Sequence, residues 1–393
     1  MNPQNPKLVY IIAGEPSGDL LASRLMQALR DKEPDILFAG MGGETMTALG
    51  FESLFDISEI SVMGIVEVIP KLPLIMRRLK QVMADIRERR PDVIVTVDSW
   101  GFVHQALARL KKEGNQIPKV HYVAPQVWAW KKGRAKTVAH LVNHLMTLLP
   151  FEPPYFEKFG LPCTFVGHPV IENTAYLTSD TPAFKSKYGI PEQCTLISVL
   201  PGSRQSEIKR LIPVFKQTLL ELKKAFPDLF LVIPSVAAIS EKVEAAFADL
   251  DIPRRIITGQ SERLAAFRSS VFALAASGTV SLELTACETP HIIAYRFGYI
   301  FNRVAKYFSG TKYANLINIL ADKLIIPEFI LENCSEILIT PVALNLMQHP
   351  DKAKAQVDEA RKYIHKLKPS GDLMPSEKAA ETVMQSLLKC NII

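Results

Sequence analysis

Apolar residues are laid along this chain in two alternating textures. Short unbroken runs, each ended by a Gly, Ser, Pro or Asp break, alternate with longer stretches whose apolar side chains fall three and four apart. The first texture marks strands buried on both faces of a parallel sheet, and the second marks the helices that cover it. Runs at Leu8–Ala13, Asp35–Ala39, Val93–Val97, Val120–Val123, Leu145–Leu149 and Thr164–Val166 predict a first sheet. Runs at Thr195–Leu200, Leu229–Ile233, Arg255–Thr258, Val271–Ala276, His291–Tyr295 and Leu324–Ile326 predict a second, beyond a polar connector around Asn173–Lys187. Leu21, Leu25, Ala28 and Leu29 form one helical stripe, and Ala379, Val383, Leu387 and Leu388 mark a last helix. The order is βαβα throughout, with two halves, no low-complexity tract and no short-period repeat.

In such sheets ligands bind where strands end and helices begin. After the first strand the loop Gly14-Glu15-Pro16-Ser17-Gly18-Asp19 crowds three polar side chains, Glu15, Ser17 and Asp19, onto one strand end. Its glycines are four apart, so it is neither the dinucleotide nor the Walker pattern, and it serves equally as a tight turn with Ser17 as cap. Gly40-Met41-Gly42-Gly43 is a second loop open to close backbone approach. Asp98 ends a strand, where catalytic groups gather, although Asp also commonly starts loops. In the second half, Pro201-Gly202-Ser203-Arg204 joins a hydroxyl, backbone donors and a guanidinium into an anion cradle. Ser277-Gly278-Thr279 opens a helix whose free N–H groups favour phosphate, and Glu283, one turn in, suits ribose hydroxyls. An ordinary crossover with a capped helix has the same pattern.

Residues 61–80 break the alternation. Val62, Met63, Ile65, Val66, Val68, Ile69, Leu72, Leu74, Ile75 and Met76 are too many for one amphipathic face, and Pro70 and Pro73 predict a segment split into short pieces. Arg77 and Arg78 follow at once. The combination fits a patch dipping into an anionic lipid interface, or a buried helix pair with a basic end.

Composition narrows the classes. The chain has 393 residues, 48% of them hydrophobic, which predicts two domains and excludes a disordered chain. A net charge of +6 suits an anionic ligand or membrane surface and is far from a nucleic-acid-binding polybasic tail. No run approaches the ~18 apolar residues of a membrane span, and the N-terminus does not read as a signal peptide. Cys163, Cys194, Cys287, Cys334 and Cys390 are scattered without a CxxC pair, predicting reduced thiols in a cytoplasmic protein and no structural zinc.

Seven motifs occur in order over the chain: Gly14–Asp19, Ser61-Val62-Met63-Gly64, His121–Trp130, Leu149-Pro150-Phe151-Glu152, Gly167-His168-Pro169, Leu200–Arg204 and Ala276–Thr279. With them the whole chain resembles the lipid-A-disaccharide synthases, glycosyltransferases of GT-B architecture. The resemblance implies two Rossmann-like domains facing a cleft: an acceptor-side domain over 1–170, a UDP-sugar domain over 171–365, and a final helix over 366–393 free to cross back. It implies inverting transfer of 2,3-diacylglucosamine from UDP-2,3-diacylglucosamine to 2,3-diacylglucosamine 1-phosphate, giving a β-1,6 disaccharide 1-phosphate and UDP. Asp98 then becomes the candidate general base. Ser203, Arg204, Ser277, Gly278 and Thr279 take the diphosphate, and Glu283 takes the ribose. Glu15, Ser17, Asp19, Gln126 and Asn318 lie on the sugar or acceptor side. Protein donors would neutralise the UDP, so neither metal nor cofactor is expected, and Asp249-Leu250-Asp251 precedes a strand rather than ending one. Acylated substrates favour the membrane patch, with Arg77 and Arg78 at its edge, and peripheral association with the inner membrane. A monomer and a homodimer both remain open.

The chain departs from the family pattern at three places. Trp100-Gly101-Phe102-Val103 stands where Pro-Asp-Phe-Asn is usual after the aspartate, Leu331 replaces a glutamine, and Ile317 replaces a proline. Two other readings share the pattern: a UDP-N-acetylglucosamine 2-epimerase, which needs no lipid acceptor, and a non-enzymatic sugar-nucleotide or lipid-binding protein.

Overall fold

The computed structural model describes residues 6–60, 65–129, 133–173, 180–202, 204–236, 239–276, 278, 280–296 and 312–389, with backbone alone at 65–68. They form two compact units, Met1–Pro169 with Leu367–Ile393, and Val170–Lys366.

The first unit is built on strands β1 (Leu8–Ala13), β2 (Leu37–Met41), β3 (Val93–Val97), β4 (Lys119–Tyr122), β5 (His144–Thr147) and β6 (Cys163–Phe165). They make one parallel sheet in the order β2-β1-β3-β4-β5-β6. Side chains alternate across it. Val9, Ile11 and Ala13 pack with Leu21, Leu25, Ala379 and Val383 from helices Pro16–Lys32 and Pro375–Lys389. Tyr10 and Ile12 pack the other way, with Leu79, Val82, Met83 and Ile86 of helix Ile65–Arg89 and Val103 and Leu107 of helix Trp100–Lys112. Burial on both faces is why these strands read as unbroken apolar runs.

The second unit repeats the plan with β7 (Thr195–Leu200), β8 (Leu229–Pro234), β9 (Arg254–Ile257), β10 (Phe272–Ala276), β11 (His291–Tyr295) and β12 (Glu328–Ile330). Their order is β12-β11-β10-β7-β8-β9, again parallel. In each sheet the strand order reverses once, between β1 and β3 and between β7 and β10. Each switch point opens a crevice at the carboxyl ends of its own sheet's strands.

Two expectations need correction. Residues 61–80 were expected in short pieces, yet Ile65–Arg89 is one helix containing Pro70 and Pro73. Both prolines are exposed, so water can take the carbonyls whose amide partners are missing. The last strand is Glu328–Ile330, not Leu324–Ile326. The N–H groups of Ile325 and Ile326 both donate to Asn318 Oδ1, at 2.9 Å each, and so are withheld from a sheet ladder.

Candidate functional site

In the first unit the switch point gathers Asp98 and the loop after β1. Asp98 and Ser99 both have left-handed backbones, φ 53° and 48°, a conformation that costs a non-glycine residue about 1–2 kcal/mol. The turn is held because Asp98 N–H donates to Tyr122 O at 2.9 Å and helix Trp100–Lys112 starts directly after it. Gly18 allows the loop to lie close by, since a Cβ there would sit 3.0 Å from Val97 O. Ser17 Oγ then donates to Asp98 Oδ2 at 3.1 Å, and Oδ1 accepts no hydrogen bond from a described residue. Asp98 is half-buried and Ser17 exposed, so this carboxylate meets solvent with one oxygen held and one open.

The neighbours divide into those that reach solvent and those spent on structure. Glu15 is the half-buried N-cap residue of helix Pro16–Lys32, and Gln126 is exposed in the loop after β4. Asp19 is different: it is 3% exposed, and both of its oxygens are fully used. Oδ1 accepts from Gly43 and Met46 N–H, and Oδ2 from Thr45 N–H and hydroxyl. Asp19, expected on the sugar or acceptor side, thus caps the short helix Glu44–Thr47, whose own N-cap Gly43 has no side chain. The Gln126 loop is tied down by Glu152, which accepts from Trp128 Nε1 at 3.1 Å and Leu149 N–H at 3.0 Å. Burial pushes the Glu152 carboxyl up to about 7 against those donors. His121 and His168 are buried and pushed down to about 4, so both rings are neutral at physiological pH.

In the second unit the switch point holds a cavity of about 330 Å³, lined among others by Gly202, Arg204, Glu207, Arg263, Gly278 and Glu283. Ser203, Ser277 and Thr279 lie outside the described residues. Gly202 has φ 108°, and a Cβ there would meet Glu207 Oε2 at 2.5 Å and Cβ at 2.8 Å. Only glycine lets the β7 turn pass so close to that buried carboxylate. Glu207 Oε1 accepts from Arg204 Nη1 at 2.9 Å and from Tyr295 hydroxyl at 3.1 Å. The Arg204 side chain stays 50% exposed. Across the cavity Arg263 Nη2 donates to Glu283 Oε1 at 2.8 Å. Burial pushes the Glu283 carboxyl above its ordinary range, while the Arg263 charge and hydrogen bond pull it back. The chemistry is that of an anionic ligand bearing hydroxyl groups: a guanidinium, helix-start amides and a buried carboxylate.

Asn318 does not join this cavity. It is 0% exposed, its amide donates to Ile326 O and Glu328 Oε1, and its oxygen takes two N–H groups. All four of its side-chain hydrogen bonds are spent fastening the loop before β12, whereas it was expected on the sugar or acceptor side. The apolar patch also shrinks. Ile69 is 64% and Leu72 50% exposed, but Ile75 and Met76 pack on the first unit's core. Arg77 is exposed, whereas Arg78 is clamped by both oxygens of Glu59 and lies 4.8 Å over the Phe55 ring. The side chains of Val66 and Val68 lie outside the described ones. No described helix is long and apolar enough to cross a membrane. Among the described residues no three metal-ligating side chains gather.

Glu207 and Arg263 line the cavity and Tyr295 bonds to Glu207, yet the sequence reading singled out none of the three, and it held Glu152 only as the end of the Leu149–Glu152 motif. Glu207 carried a signal, three residues after Arg204, where a helix-start capping box places its acid. Arg263 carried none, because it meets Glu283 only through a crossover of the sheet.

A profile of the lipid-A-disaccharide synthetase family matches residues 9–383. The lipid-A-disaccharide synthase of Rhodospirillum centenum is 41% identical over 385 residues, covering 98% of this chain and 96% of that protein. The enzyme of the same name from Paramagnetospirillum magneticum is 43% identical over 380 residues, covering 96% and 97%. Among solved structures, UDP-GlcNAc 2-epimerase from Neisseria meningitidis bound to UDP-GlcNAc has a TM-score of 0.64 at 12% identity, covering 98% of this chain and 100% of that one. Acinetobacter baumannii MurG has a TM-score of 0.54 at 13% identity, covering 97% and 100%. At such identities these two show the fold alone, the two-domain α/β architecture of the GT-B class.

Proposed function

The chain belongs to the lipid-A-disaccharide synthetase family and is a glycosyltransferase of that type, and from this premise we propose how its residues divide the reaction. The donor is UDP-2,3-diacylglucosamine and the acceptor 2,3-diacylglucosamine 1-phosphate. The observation that carries the donor assignment is the cavity at the β7/β10 switch point, where Arg204, Gly278 and Glu283 line one space. Arg204 and the amides around Gly278 bind the diphosphate, and Glu283 accepts from the ribose hydroxyls.

Asp98 takes the proton of the acceptor's 6-hydroxyl through its open oxygen while Ser17 fixes the other. The hydroxyl oxygen bonds to the anomeric carbon from the face opposite the leaving group. The carbon–oxygen bond to UDP breaks, and its electron pair leaves with the diphosphate, which Arg204 stabilises. The configuration inverts. Ile69, Leu72 and Arg77 form the remaining lipid-facing patch, which supports peripheral association with an anionic membrane surface.

Incubation of the purified chain with UDP-diacylglucosamine, with and without the acylated 1-phosphate, tests the assignment. UDP is expected only when acceptor is present. Turnover of a UDP-sugar without acceptor would instead favour epimerase chemistry, and tight binding without turnover a carrier.

A further inference from the structure

We infer that Arg263 is a positioning residue for the nucleotide: it grips one oxygen of Glu283 and leaves the other facing the ligand's paired hydroxyls. The inference rests on the ribose role given to Glu283 above and deepens it. Glu283 stands in the helix Val280–Ala286 after β10, Arg263 in the helix Gln260–Ser269 after β9, and both line the same cavity. Arg263 Nη2 meets Glu283 Oε1 at 2.8 Å, with side chains 32% and 15% exposed. Glu283 Oε2 accepts no hydrogen bond from a described residue, and neither does any described group accept from the buried Arg263 Nε. Each group is thus the other's partner, and the pair fixes a carboxylate that has one free edge.

The pairing also sets the charge state. Besides Arg263, the Cys287 thiol just past the end of its helix interacts with Glu283, and Arg204 and Glu207 line the same cavity. Burial alone favours the neutral acid, and Arg263 opposes it. A carboxylate accepts from two hydroxyls at once, whereas the protonated acid has lost part of that capacity. Without the guanidinium the carboxyl takes up its proton at a higher pH, so hydroxyl binding is lost earlier as pH falls.

Calorimetric titration of the full chain with uridine and with UDP, repeated across the neutral pH range, reads this directly. Arg263→Gln is expected to weaken both ligands by the same factor, on the order of tenfold. The loss should deepen as pH falls and begin at a higher pH than in the unaltered chain, with Arg263→Lys restoring most of it. A loss confined to UDP would mean that Arg263 touches the diphosphate and would overturn the inference. So would an unchanged affinity, or a loss that ignores pH. Arg263→Lys carries the same comparison, with a smaller shift in onset, if the glutamine variant does not fold. Glu283→Gln separates the two claims: intact uridine affinity there removes the ribose assignment itself. Weakened uridine binding in Glu283→Gln beside an unaltered Arg263→Gln removes only the inference.

Discussion

Replacing Asp19 by alanine separates a cap from a ligand contact. The carboxylate receives Gly43 N–H at 2.7 Å, Thr45 N–H at 2.8 Å, Thr45 hydroxyl at 2.6 Å and Met46 N–H at 3.2 Å. Thr45 is exposed, so its two donors turn to water at little cost, but Met46 is buried and Gly43 half-buried. Stranding a buried donor costs about 1–3 kcal/mol, so the pair gives a loss of about 3 kcal/mol. Trp100 and Trp128 belong to the same unit as Asp19, so their fluorescence reports its unfolding. With a urea slope of about 2 kcal/mol/M, the midpoint should fall by about 1.5 M. Asp19→Asn keeps one acceptor oxygen and should lose about half as much. An unaltered midpoint in Asp19→Ala, with a raised acceptor KM, would refute the capping role and return Asp19 to the substrate.

Gly202→Ala should weaken UDP binding at least tenfold, because its Cβ displaces Glu207, and with it Arg204, besides a backbone strain of about 1 kcal/mol; an unchanged calorimetric affinity would count against the Arg204 assignment. Glu152 has its carboxyl raised from 4.5 to about 7, so the folded state keeps a proton that the unfolded chain has released. Stability of the first unit should therefore be greatest below about pH 4.5 as far as this group is concerned, and fall as pH rises to about 7. Glu152→Gln should flatten that dependence in urea titrations, and an equally steep profile in the variant would reject the cause. Ile69→Ser with Leu72→Ser should reduce cosedimentation with anionic liposomes without altering the urea midpoint, since both side chains are exposed. Undiminished cosedimentation would dismiss the patch.

Much of this was legible along the chain because local pattern records burial. A strand covered on both faces has to be apolar throughout, so β1, β3, β7 and β10 announce themselves, and the loops after them fall at strand ends whatever the topology. Asp98, Arg204, Gly278 and Glu283 could be picked out because each lies within a few residues of such an end. Resemblance added the reaction, since an ordered set of motifs carries chemistry that periodicity does not.

What pattern could not carry is the partner of a polar side chain. Asp19 looks like Glu15 and Ser17 in sequence, yet a helix start from the next crossover consumes both its oxygens. Asn318 likewise spends its amide on the loop it precedes, taking the donors that would have made Leu324–Ile326 a strand. Arg263 and Glu283 stand on different helices and meet because β9 and β10 are strands of one sheet. Apolar burial is a property each segment shows by itself, whereas a hydrogen bond needs two groups that only the folded topology brings within 3 Å.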